Sequence, residues 1–173
     1  MSSIKFISDF RSYCSAHSHV SFDLFDTLIR RRFLKVNEVH DTVSAYALSL
    51  IGQRHDNSPF DLTLLRYRTT DALKTFDGTG TQEPLIEDVW DRIIARHIPD
   101  DATRLAMVGK IVGFEIAIEL ANLALVEGAL DLLRRLKADG KTLVAISDMY
   151  FDMPTMRTIL DRLGILDQFD HVY

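Results

Sequence analysis

The segment HVSFDLFDTLIRRR, residues 19–32, decides how this chain is read. Residues 19–24 form a short apolar strand that carries Val20, Phe22 and Leu24. The strand runs into a turn at Asp23, a common way to present a carboxylate at the edge of a sheet. Asp26 and Thr27 follow, then two apolar residues and three arginines. Phe25 sits two positions after Asp23, where many phosphate-transfer enzymes carry a second carboxylate. Asp26 is one position too late to be assumed equivalent, and a turn role is the favoured reading for it. The run Arg30–Arg32 reads as a solvated surface in preference to an anion site.

Outward from this segment the chain alternates. Residues 3–17 carry apolar residues at helical spacing: Ile4, Ile7, Phe10 and Tyr13, with Phe6 four before Phe10. From residue 36 to 125 the pattern is helical. VNEVHDTVSAYALSLIG has Asn37 as its expected cap and stops at Gly52. DLTLLRYRTTDALKTF has Asp61 as its expected N-cap. DGTGTQEP reads as a loop. PLIEDVWDRIIARHI has proline in its first turn and Trp90 at a core spacing. In the longest pattern, Leu105, Val108, Val112, Ile116, Leu120 and Leu123 form one apolar stripe. Glu115 and Glu119 share a face four residues apart and are expected to be solvated, since no histidine or cysteine joins them. From 126 on, a helix ends at Gly140, an apolar strand (143–146) releases into Ser147 and Asp148, a helix ends at Gly164, and FDHVY opens a third strand.

Strands alternating with helices imply an α/β fold with a Rossmann-like parallel sheet. Three strands make that sheet incomplete. The first crossover is too long for one helix, so residues 36–125 are expected to be an inserted α-helical cap, with 1–35 and 126–173 as the core.

Composition bounds the function. The chain has 173 residues, of which 47% are hydrophobic and 26% charged, the profile of a globular protein. A net charge of -5 gives no electrostatic reason to expect a nucleic-acid partner. A single cysteine, Cys14, excludes an intrachain disulfide and is expected to be buried or inert. No apolar stretch approaches the ~18–20 residues of a membrane span, and the N-terminus lacks the features of a signal peptide. The expected compartment is the cytoplasm.

Ligands of open parallel sheets sit beyond the carboxyl ends of the strands. Asp23 ends one strand, and Ser147 with Asp148 ends another. A carboxylate and a hydroxyl on one edge suit transfer through a covalent aspartyl intermediate. Each residue alone could equally be a turn or cap residue.

Together, SFDLFDTL and LVAISDMY resemble the first and second motifs of the haloacid dehalogenase superfamily, in the right order around a cap. The resemblance spans residues 18–173. It implies that Asp23 is the nucleophile and that its carboxylate and the backbone carbonyl of Phe25 bind Mg²⁺. Ser147 would hold the transferring phosphoryl group, and Thr27 would support the turn on the substrate-binding side. More narrowly, VSFDLFDTLIRR with ISDMYF resembles predicted hydrolases of this superfamily found alone or fused to glycosyltransferases of surface-polysaccharide assembly. The implied substrate is a small phosphorylated metabolite, sugar phosphates included.

The sequence departs from that pattern twice. Phe25 cannot transfer a proton, whereas the phosphatases carry an aspartate there; dehalogenase-type members lack it as well. The lysine or arginine of a third motif and the acidic residues of a fourth are expected beyond the second strand, but only Arg157 and Arg162 follow Ser147 as fixed cations, both inside a helix. The expected activity of this chain alone is therefore weak or absent. Its sheet is expected to be completed by a further C-terminal segment or by another copy of the chain, because an unpaired apolar edge favours association. Two further readings stay open: a 2-haloacid dehalogenase-type hydrolase, and a non-catalytic module that kept the fold.

Overall fold

The computed structural model describes residues 10, 12–52, 58–76 and 81–173. The contacts divide the chain into two units. One comprises Met1–Arg32, Leu123–Ser147 and Met153–Tyr173; the other comprises Phe33–Asn122 and Asp148–Asp152.

The first unit is built on a three-stranded parallel sheet of β1 (His19–Asp23), β6 (Thr142–Ile146) and β7 (His171–Val172), in the order β1-β6-β7. This is the α/β architecture expected. In β1 burial alternates, with Val20 and Phe22 inward and Ser21 and Asp23 outward. That period follows from the two-residue repeat of a strand. Leu143 and Ala145 of β6 are fully buried, together with Leu133 and Leu136 of α5 (Ala129–Ala138) and Ile159 and Leu160 of α6 (Met153–Arg162). Gly140 and Gly164 end these helices at φ 74° and 70°, conformations a Cβ disfavours. Among the described residues β1 pairs only with β6 and lies at the sheet's edge.

A second small ladder joins β2 (Ile29–Arg31) antiparallel to β5 (Leu123–Leu125). Neither strand is apparent from the sequence pattern, and the helix expected to reach 125 stops at Asn122. Most of the helix expected at 3–17 lies outside the described residues. Ser12–Cys14 are helical, Cys14 is buried as expected, and Tyr13 is exposed instead of packed.

The second unit holds α1 (Val36–Ile51), α2 (Pro59–Leu73), the short pair β3 (Thr75–Phe76) and β4 (Thr81–Gln82), α3 (Ile86–Ile94) and α4 (Asp101–Asn122). Three boundaries differ from expectation. The cap of α1 is Lys35, whose backbone N–H donates to Glu38, whereas Asn37 accepts from the Tyr67 hydroxyl. The cap of α2 is Ser58: Asp61 sits three residues on and accepts from the Ser58 backbone and hydroxyl. This is a capping box, with Pro59 at the first helical position. Pro84 precedes α3, which starts at Ile86. Trp90 is fully buried, as its spacing predicts.

The largest correction is in α4. Its buried face is Val108, Ile111, Val112, Glu115, Glu119 and Asn122, while Leu105 is exposed. Both glutamates are 0% exposed, so they are not solvated. The cause lies on α2. Buried Arg66 donates to both oxygens of Glu115, at 2.7 and 3.1 Å, and its guanidinium lies 5.8 Å from the Trp90 ring centre. Fork geometry of this kind satisfies a buried carboxylate as few other partners can. Asn122 closes the same face by accepting from the N–H groups of Phe33 and Leu34 and donating to the Leu34 carbonyl.

Candidate active site

The candidate site is the carboxyl end of the parallel sheet in the first unit. Asp23 is the last residue of β1, and its register partner is Ile146, the last of β6. Ser147 is the next residue, so a carboxylate and a hydroxyl leave adjacent strands within a residue of each other. Neighbouring strands lie about 4.8 Å apart. Ser147 is held in line because its N–H donates to the Tyr173 carbonyl, 3.0 Å away beyond β7.

After Asp23 the chain turns around one carbonyl. Leu24, wholly buried, accepts from the N–H groups of Leu28 and Ile29 at 2.9 Å each and of Thr27 at 3.4 Å. Asp26 donates its N–H to the Ile29 carbonyl at 2.8 Å and adopts φ 58°. Aspartate tolerates this left-handed conformation better than most residues. The side chain of Asp26 is exposed, and the residue does the turn work expected of it. Asp26→Gly should therefore change stability by no more than about 0.5 kcal/mol. A β-branched side chain in the same conformation, Asp26→Val, should cost about 1–2 kcal/mol. Denaturant midpoints of the two variants check this, and equal midpoints would remove the conformational account.

Thr27 closes the turn. Its hydroxyl donates to Asp23 Oδ2 at 2.6 Å, which fixes the carboxylate's orientation. Asp23 itself is exposed and open to a reactant. The sequence reading missed Arg31, whose guanidinium lies 5.5 Å from the centre of the Phe25 ring. Arg30 and Arg32 are exposed. Side-chain direction along β2 separates Arg31 from its neighbours, and that signal is available only once β2 is known to be a strand. Arg157 and Arg162 are exposed on α6. Lys137 donates to Asp170 at 2.7 Å, and Lys141 donates to the carbonyls of Ser15 and His17.

The metal question turns on donors. Mg²⁺ takes six oxygens, often with only one or two carboxylates from the protein. On the family resemblance the Asp23 carboxylate and the Phe25 carbonyl would be two of these. No group of three His, Cys, Asp or Glu side chains able to hold a metal occurs among the described residues. The donor set therefore fits Mg²⁺ only if water and substrate oxygens supply the rest.

Tyr150, three residues after Ser147, also escaped the sequence reading, and it belongs to the helical unit. Its carbonyl accepts from the Ile86 N–H, and the Arg66 guanidinium lies 5.2 Å from its ring centre. Burial, followed by the nearby Glu115 carboxylate, pushes its hydroxyl well above the ordinary phenol value. Elsewhere in this unit, Tyr46 packs its ring 4.2 Å from that of Phe114, and Arg68 is exposed. No helix among the described residues is long and apolar enough to cross a membrane.

No family model matches this chain, and no curated protein matches it. Solved structures do. A predicted phosphoglycolate phosphatase from Haemophilus somnus is 19% identical, with TM-score 0.49; the match covers 90% of this chain and 61% of that one. A haloacid dehalogenase-like hydrolase from Streptococcus pneumoniae is 18% identical, with TM-score 0.46 and coverages of 90% and 60%. The L-2-haloacid dehalogenase from Xanthobacter autotrophicus is 15% identical, with TM-score 0.40 and coverages of 90% and 55%. This chain thus spans 55–61% of the length of these three proteins.

Proposed function

We propose that this chain carries the nucleophile-bearing part of a haloacid dehalogenase-type phosphatase acting on a small phosphorylated metabolite, sugar phosphates included. The observation that supports it is the Asp23 carboxylate, exposed at the carboxyl end of β1 and oriented by Thr27 at 2.6 Å. Its oxygen attacks phosphorus, the bond to the ester oxygen breaks, and an aspartyl phosphate forms. Water then attacks that phosphorus and frees both phosphate and Asp23. The Ser147 hydroxyl donates to a phosphoryl oxygen during the transfer. Asp23 and the Phe25 carbonyl would hold a Mg²⁺ ion, which neutralises charge on the phosphoryl group when bound.

Phe25 cannot give the leaving alcohol a proton, so turnover by this chain is expected to be slow. Phosphate release from a panel of phosphate esters with Mg²⁺ should be weak but measurable, and Asp23→Asn should bring it to the blank. Background signal from both proteins would remove the claim of catalysis.

Phe25 favours one alternative, displacement of halide from a 2-haloacid. Asp23 would attack the halogen-bearing carbon, halide would leave without a proton, and water would hydrolyse the resulting ester. Halide release without added metal, alongside no phosphate release, selects this reading. A phosphorylated ligand that binds without turnover, and equally well to Asp23→Asn, selects a non-catalytic module.

A further inference from the structure

The helical unit contains a cavity that the aspartyl chemistry does not use. Its volume is about 370 Å³, inside the range of about 300–1,000 Å³ for small-molecule sites. On its buried side are His40, Ile86 and Val89; on its open side are Asp71, Lys74 and Glu83, with Tyr67 and Tyr150 also lining it.

Charge narrows what could occupy it. The two fixed cations of the lining are already paired. Arg66 is bound by Glu115, and Lys74 lies 3.1 Å from Asp71 and 3.0 Å from Glu83. Those two cations face three carboxylates, a net charge of −1, so no cation is left over to hold a phosphate or carboxylate. Hydrogen-bonding capacity remains high. The Tyr67 hydroxyl lies 2.8 Å from His40 Nδ1 and donates to Asn37, and the Tyr150 hydroxyl lies 3.4 Å from His40 Nε2. The carboxylates of Asp71 and Glu83 keep lone pairs beyond those Lys74 uses. Acceptor oxygens thus ring apolar patches from Ile86, Val89 and the two tyrosine rings. A molecule with several hydroxyls, each both donor and acceptor, set on a C–H framework complements such a wall. An anionic group does not, and a cationic one would have to compete with Lys74 for the carboxylates of Asp71 and Glu83.

We propose that this cavity binds an uncharged polyhydroxylated group about the size of one hexose. The proposal rests on the phosphatase reading only for the idea that this group belongs to a substrate; the binding itself does not require Asp23.

Amide NMR titrations of the whole chain with glucose, mannose, galactose and myo-inositol test it, with inorganic phosphate and glucose 6-phosphate as further arms. At least one neutral compound should give saturable shifts at Thr70, Lys74 and Tyr150, with a millimolar Kd. Glu83→Gln and Tyr67→Phe, both at exposed positions, should each weaken it about 5- to 10-fold. Asp23→Asn should leave it unchanged, and glucose 6-phosphate should shift the same three amides if its sugar is what binds. The proposal falls if no neutral compound saturates these amides, if the two variants bind as well as the parent, or if inorganic phosphate alone saturates them. Sugar binding without phosphatase activity would overturn the proposed function and leave this inference standing; activity without sugar binding would do the reverse.

Discussion

Arg66→Met should destabilise the helical unit by about 3–5 kcal/mol, the cost of leaving a buried charge without its partner. Glu115 is 0% exposed and receives two hydrogen bonds from one guanidinium. Water cannot replace that partner without opening the bundle in which α2 and α4 each pack on α1 and α3. A whole domain is commonly stable by only about 5–15 kcal/mol, so this single change should bring the unit near its threshold. Glu115→Leu alone should cost a similar amount, since it leaves Arg66 buried beside Trp90 and Tyr150. The double variant should recover most of the loss, because well-packed apolar residues often replace a buried ion pair at little cost. Trp90 is the chain's single tryptophan and is fully buried in the same unit. Its emission in urea therefore reports this unit directly and does not assume that the chain unfolds in one step. Additive single-variant losses, with no recovery in the double variant, would show that the pair is not coupled as the geometry requires.

The same pair marks the limit of what the sequence reveals. The order of strands and helices is legible because it depends on local signals: apolar runs at 19–24 and 143–146, and glycines at 52, 140 and 164 that stop helices. The turn that carries Asp23 is legible for the same reason, since Asp23, Asp26 and Thr27 act within one turn; a nucleophile's role for Asp23 is only what the family resemblance implies. Which face of α4 is buried is not a local property. An apolar stripe through Leu105 and Ile116 is a sound periodic pattern, but Arg66 lies 49 residues before Glu115 and turns a charged face inward. β2 and β5 leave no sequence signal for a related reason: each is three residues long and pairs with the other across the inserted unit. Ser58 and Asp61 act together, which gives Asp61 the look of the cap; the box is visible in Ser-x-x-Asp once Pro59 is taken as the first helical residue.

Phe25→Asp should raise phosphate release from alkyl phosphates by about 10²-fold, at the low end of the 10²–10⁴ typical of a placed general acid. The position is permissive: Phe25 is only partly buried, and its ring contact with Arg31 is worth about 0.5–1 kcal/mol at such a site. The gain should depend on the leaving group. An alkoxide needs a proton as it departs, whereas p-nitrophenolate does not, so p-nitrophenyl phosphate should gain far less. It should also depend on pH. The introduced carboxyl must be protonated to act as an acid, so its contribution is present below its pKa and fades above it. Arg31 beside it stabilises the ionised form and lowers that pKa. The enhancement should therefore be largest near pH 4 and below, and fade as the pH rises through 5. Adding Arg31→Gln should move the decline to higher pH. Rate–pH profiles of the parent, Phe25→Asp and the double variant on one alkyl and one aryl ester decide the matter. Equal gains on both esters, or a profile that Arg31→Gln does not move, would mean that residue 25 does not face the leaving group, and the assignment of Asp23 as a phosphatase nucleophile would lose its chemical basis.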